Sequence, residues 1–350
     1  MPRTESMAGI GFGRWGRVLR SAPAVLIVLS LCATPLATTG CARADLKSAL
    51  KSGATWTAQD SGKTKDNSDD PFQSLGNQAL NSVAFADATH GWVCGEGGLI
   101  LATTDGGSSW IQQNSGAQSS LQSVAFADAT HGTAVGYGGT IVSTIDGGAT
   151  WNRQESGTTG LLRGVDFADA KHGIVVGNEG LVLRTADGGM TWDSQSVGAA
   201  DGLASVQMVD TSHAVAVGGG VILGSSDGGA SWKPYRNNQL GTLRSVYFTD
   251  LDHGWAVGEP ERILATTDGG VNWKRQDAGF RGSLYSVAFS SATDGWAVGS
   301  GGTILLTTDG GTTWTLASKS PGTLYGVAFG DPTHSWAVGD NGKILAFSGQ

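Results

Sequence analysis

The side chains able to do chemistry in this chain come in evenly spaced sets. All six histidines, His90, His131, His172, His213, His253 and His334, sit three residues after an aspartate, and a seventh equivalent position holds Asp294. Imidazoles beside carboxylates suggest a metal site, but a tetrahedral site needs ligands that converge on one ion. Copies spread regularly along a repeat read instead as turn residues, and no metal is expected. A second set of carboxylates lies in the motif Ser/Thr-x-Asp-x-Gly-x-x-Trp, at Asp105, Asp146, Asp187, Asp227, Asp268 and Asp309. One carboxylate per copy is too few for a calcium loop, which spaces several oxygen donors over about twelve residues. An Asp that accepts backbone N–H groups, a Gly pair that permits positive φ and a Trp that packs back over the turn make a structural role for all six. No cofactor is expected.

The elements that must position these groups follow from the spacing. The motif aspartates are 41, 41, 40, 41 and 41 residues apart, the period of a four-stranded propeller blade. Within a period, segments such as 284–289 (LYSVAF), 295–299 (GWAVG), 303–308 (TILLTT) and 313–317 alternate apolar with small or polar residues between Gly/Asp turns, as short strands do. The first-strand pattern occurs seven times, centred on Val83, Val124, Val165, Val206, Val246, Val287 and Val327. The seventh copy has no complete Asp motif after it. Reading Ser348-Gly349-Gln350 into Ser52-Gly53-Ala54-Thr55-Trp56 restores the register, with Gln in place of Asp. Residues 53–59 are therefore expected to supply the outer strand of the last blade, leaving no open seam. The fold class is an all-β, seven-bladed β-propeller with four-stranded blades over residues 45–350.

Residues 1–44 differ in kind. Arg14, Arg17 and Arg20 precede an apolar run over 24–36 and then small residues, the layout of an export signal. Cleavage after Ala44 gives a soluble product, whereas cleavage before Cys41 makes that residue a lipidation site and the only membrane anchor. Both readings place the domain outside the cytoplasm. Without this segment the chain has 17 basic and 29 acidic residues, a net charge of −12 against −8 for the whole. Such a surface excludes nucleic acid and anionic lipid as partners. Cys94 is then the one remaining thiol on the soluble reading, so no internal disulfide is expected. The 56 glycines are periodic and belong to turns rather than to a disordered segment.

Function is expected where the repeats disagree. In such a blade the loops before the first strand and between the second and third emerge on one face, with the histidine and Asp-motif turns on the other. The variable positions are Asn81, Gln122, Arg163, Ala204, Arg244, Tyr285 and Tyr325 at the first, and Glu96, Tyr137, Asn178, Gly219, Glu259, Ser300 and Asp340 at the second. Blade five departs furthest, with Pro260-Glu261-Arg262 after Glu259. Arg and Tyr anchor interfaces more often than most residues. The candidate partner-binding set is accordingly Arg163, Arg244, Arg262, Glu259, Tyr285, Tyr325, Gln122 and Tyr137. The segment 60–79 is about a dozen residues longer than its counterparts and is read as a closure loop. Glycoside hydrolysis is the competing chemistry. It needs two carboxylates facing across a cleft, and Glu96, Glu179, Glu259 and Asp340 come without a local catalytic signature.

The text GWAVGSGGTILLTTDGGTTW at 295–314, repeated loosely in every blade from His90 onward, resembles the photosystem II stability and assembly-factor family of BNR/Asp-box propellers. The resemblance covers about 300 residues. It implies a monomeric, non-enzymatic protein that binds a protein or peptide partner and serves the assembly or stability of a membrane complex from a lumenal, periplasmic or cell-surface location. Sialidase-like, glycosidase or carbohydrate-binding Asp-box propellers are the alternative. The resemblance assigns no individual residue here; the arginines and tyrosines above follow from blade position alone.

Overall fold

The computed structural model describes residues 46–51, 53–59, 78–198, 202–235 and 241–348. Residues 1–44, read above as an export signal and including Cys41, and residues 60–77 of the long loop, lie outside the described residues.

Seven four-stranded antiparallel sheets follow one another, six of them from consecutive strands. Blade 1 comprises Leu80–Phe85, Gly91–Gly95, Ile100–Thr103 and Ile111–Gln113, and blade 6 comprises Leu284–Phe289, Gly295–Gly299, Thr303–Thr307 and Thr315–Lys319. The fourth strand of blade 6 starts two residues later than its pattern predicts. Thr313 is unavailable for the ladder because its N–H and hydroxyl both donate to the Asp309 carboxylate.

Blade 7 is assembled from both parts of the chain. Its strands Leu324–Asp331, His334–Gly339 and Lys343–Ser348 are completed by Thr55–Gln59, with Trp56 opposite Phe347. Gly53 has φ of +91°, close to the +80° to +90° of the second Gly in the six complete Asp motifs, so the half-motif keeps the conformation of the whole one. Trp56 packs edge-on against Trp296, with ring centroids 5.2 Å apart. A short helix not expected from the sequence, Leu46–Lys51, precedes this strand, and its Leu46 and Ala49 are buried in the cluster containing Ala54, Trp296 and Phe347. The spacing of its two buried residues is that of one helical face, but six residues are too few to announce a period. The ring closes on blade 1, where Phe85 stacks on Trp336 at 3.6 Å and Trp110 donates its indole N–H to Gln59.

The core lies between blades. The strand-two tryptophan of one blade stacks on the strand-one phenylalanine of the next, as in Trp92 on Phe126 and Trp255 on Phe289, and the all-buried second strands fill the space around them. Near the axis, serine hydroxyls accept the N–H of a valine in the following blade: Ser82 from Val124, Ser123 from Val165, Ser205 from Val246, Ser245 from Val287 and Ser286 from Val327. Blade 3 has Gly164 instead of the serine. There the Asp166 carboxylate accepts the N–H of Met208 at 2.7 Å and joins blades 3 and 4.

Candidate functional site

The two faces carry different kinds of hydrogen-bonding. On the Asp-motif face each copy repeats one network. In blade 6 the Thr307 hydroxyl donates to Asp309 and accepts the N–H of Gly311, while Asp309 takes the N–H and hydroxyl of Thr313. Burial alone would raise the Asp309 carboxyl; the Thr313 and Thr307 bonds outweigh it and hold the group below the usual carboxylate range. The adjoining turn is bonded to this network, Gly310 N–H donating to Thr293 O. Each histidine faces its own aspartate through Nδ1, as in His131 and Asp128 at 3.0 Å. The carboxylates are thus saturated within their own turns, a structural arrangement that repeats from blade to blade.

The opposite face opens on the axis. In all seven first strands the ladder register shifts across one residue, leaving Asn81, Gln122, Arg163, Ala204, Arg244, Tyr285 and Tyr325 unpaired at a bulge. A bulge re-aims its side chain out of the ladder, and these seven residues together line the mouth of an axial cavity of about 150 Å³. The variable positions read from the sequence therefore converge on one opening.

Around that mouth, chemistry is divided by sector. Blade 4 contributes no side chain larger than a methyl at its variable positions, Ala204, Gly219 and Gly220. Together with Gly241 they line a cavity of about 420 Å³ flanked by Arg163 of blade 3 and Arg244 of blade 5. Arg163 Nε donates to the Asn178 side-chain oxygen at 2.8 Å, and Arg244 Nε to Glu259 at 2.9 Å. Burial, and then the Arg244 charge, lower the pKa of the Arg163 guanidinium, which places the two cations within electrostatic reach of each other. Tyr137 is half exposed on the blade 2 turn. Arg262 lies beside Gly241, within reach of the same notch.

The tyrosines occupy the next sector round the ring, in blades 6 and 7. Tyr285 and Tyr325 are 5.7 Å apart and tilted by 53°, and Tyr325 donates its hydroxyl to Asp340 at 2.9 Å. Gln122 lines the mouth in blade 2. Of the carboxylates on this face, Glu96 accepts the Ala79 N–H, Glu259 pairs with Arg244, and Asp340 holds Tyr325 and the Thr323 N–H. Sequence reasoning missed how these residues couple. Three blades join the bulge residue to the residue 15 positions later, Arg163 to Asn178, Arg244 to Glu259 and Tyr325 to Asp340, a spacing that was present in the sequence as a signal.

A family model described as "Photosynthesis system II assembly factor YCF48" matches residues 154–240, 237–314 and 278–348. No curated protein matches the chain. Among solved structures, "YCF48 bound to D1 peptide" is similar with a TM-score of 0.68 at 23% identity, covering 84% of this chain and 95% of that one. YCF48 from Cyanidioschyzon merolae has a TM-score of 0.68 at 21% identity, covering 84% and 99%. The GH74 xyloglucanase from Xanthomonas campestris has a TM-score of 0.63 at 14% identity, covering 83% of this chain and 53% of that one. At these identities the structural likeness concerns the propeller fold.

Proposed function

The chain belongs to the family of the photosynthesis system II assembly factor YCF48, and on that premise we propose that it is a non-catalytic, extracytoplasmic propeller that holds a peptide segment of a membrane-complex subunit at its axial mouth. The observation that carries this reading is the notch in which Arg163 and Arg244 flank a floor of Ala204, Gly219, Gly220 and Gly241. Two guanidiniums beside a floor made mostly of glycine and alanine offer charge-assisted hydrogen bonds to a carboxylate or to backbone carbonyls, and leave room for the chain that bears them. Tyr285 and Tyr325 add two aromatic faces, the second held by its hydroxyl bond to Asp340. The structure of YCF48 with a D1 peptide supports a peptide as the kind of partner. The engagement of Glu96, Glu259 and Asp340 in local bonds supports binding rather than hydrolysis.

The proposal extends to the set Arg163, Arg244, Arg262, Glu259, Tyr285, Tyr325, Gln122 and Tyr137, and to membrane contact only through residues ahead of the propeller. Reversing the charge of Arg163, Arg244 and Arg262 together is expected to abolish binding of a D1 peptide measured by calorimetry, with thermal unfolding nearly unchanged. Unaltered binding would remove the site. Hydrolysis of an aryl glycoside, lost in Glu259→Gln, would replace this reading with an enzymatic one, and recovery of the native protein in the cytoplasmic fraction would overturn the location.

A further inference from the structure

The two arginines of the notch are not equivalent, and the difference lies in what each already holds. Both reach the residue 15 positions later in their own blade, but Arg163 donates to the neutral Asn178 amide and Arg244 to the Glu259 carboxylate. Arg163 therefore presents its whole positive charge, whereas Arg244 comes with its charge formally cancelled. The Arg244 side chain is 34% exposed and that of Glu259 31%, so the pair lies at the edge of solvent where an incoming anion can compete for it. Between the arginines, Ala204, Gly219, Gly220 and Gly241 supply no group that covers either guanidinium.

Resting on the peptide-binding reading, we propose that Glu259 is a built-in competitor in the notch, occupying Arg244 as a ligand carboxylate would and setting how strongly the site holds acidic segments. Its backbone is fixed on both sides. It pairs with Thr242 at the end of its strand, and the following turn is tied down by the Glu261 N–H donating to Gly282 O. The carboxylate consequently stays within reach of Arg244 whether or not a peptide is present. An acidic segment must displace it or share the guanidinium with it, and Arg163 is the arginine that meets the segment without competition. Glu259 also offsets the repulsion between the Arg163 and Arg244 charges, so removing its charge makes the notch more cationic and more demanding of an anion.

The test uses the whole propeller and a labelled peptide rich in Asp and Glu, read by fluorescence anisotropy across a salt series. Glu259→Gln keeps the hydrogen-bond acceptor and removes the charge, and is expected to tighten binding roughly three- to five-fold, the range of a partly exposed ion pair, with a steeper salt dependence. Asn178→Asp places the same clamp on Arg163 and is expected to weaken binding by a similar factor; the double variant returns close to the wild type. Thermal unfolding of each variant accompanies the titrations, and if Glu259→Gln does not fold, unchanged or tighter binding in Asn178→Asp overturns the carboxylate clamp on which the inference rests. Unchanged or weakened binding in a folded Glu259→Gln would overturn the competitor role, a weakened one showing that Glu259 instead positions Arg244. Absence of binding by the wild type would overturn the peptide-binding reading itself, and this inference with it.

Discussion

The Asp-motif face and the axial mouth are made from the same repeat under different constraints. On the first, six turns close the same bonds with the same residue types, Thr or Ser donating to Asp and accepting the N–H of the second Gly. At the second, seven bulges share a backbone and carry five different side chains. Where the backbone itself requires the side chain, every blade has to satisfy the same donors. Where a bulge frees the side chain from the ladder, the blades can diverge at little cost in stability. The contrast separates residues whose loss should be felt in unfolding from residues whose loss should be felt in binding.

Four substitutions break or sharpen that contrast. Trp56→Ala removes the ring that joins the closing strand to Trp296 and Phe347, and is expected to cost about 3 kcal/mol in urea denaturation, as loss of a large packed aromatic does. Thr307→Val, at 1% exposure, keeps the shape but strips the partner of the Gly311 N–H, and should cost about 1–3 kcal/mol with peptide binding intact. Asp166→Asn tests the axial join between blades 3 and 4. Burial raises the Asp166 carboxyl to about 7 despite the N–H bonds from Met208 and Phe167, while the unfolded value is about 3.9. Folding therefore takes up a proton between those values, and this group's contribution to stability is greatest below about pH 4 and falls as pH rises towards 7. The variant should flatten that slope in a pH series of thermal melts. Tyr137→Ala, at a position 49% exposed, should move stability by less than about 0.5 kcal/mol, so any larger effect would place the mouth under the same constraint as the turns.

Much of this architecture was legible because it repeats. The seven valines gave the blade count, and the half-motif around Gly53 predicted the splice that pairs Trp56 with Phe347. Gln59 was not singled out, yet it stands to Trp110 as Gln113 does to Trp151, which shows how fully the spliced strand reproduces a regular one. The mouth was legible as a set of positions, since divergence between aligned blades marks them. Its bonds were not. Whether Arg244 meets Glu259 depends on a bulge and a hairpin acting together across 15 residues, and the notch exists because blade 4 carries only alanine and glycine at its variable positions, which an inventory of reactive residues passes over. The helix Leu46–Lys51 was missed for another reason: its stability comes from burial of Leu46 and Ala49, a tertiary effect with no period to betray it.

That helix also fixes a direction. It leads into the closing strand at Thr55, which pairs with Ser348 where the third strand of blade 7 runs out towards the Asp-motif side. The start of the closing strand therefore lies at the back of the wheel, away from the bulges that line the axial mouth.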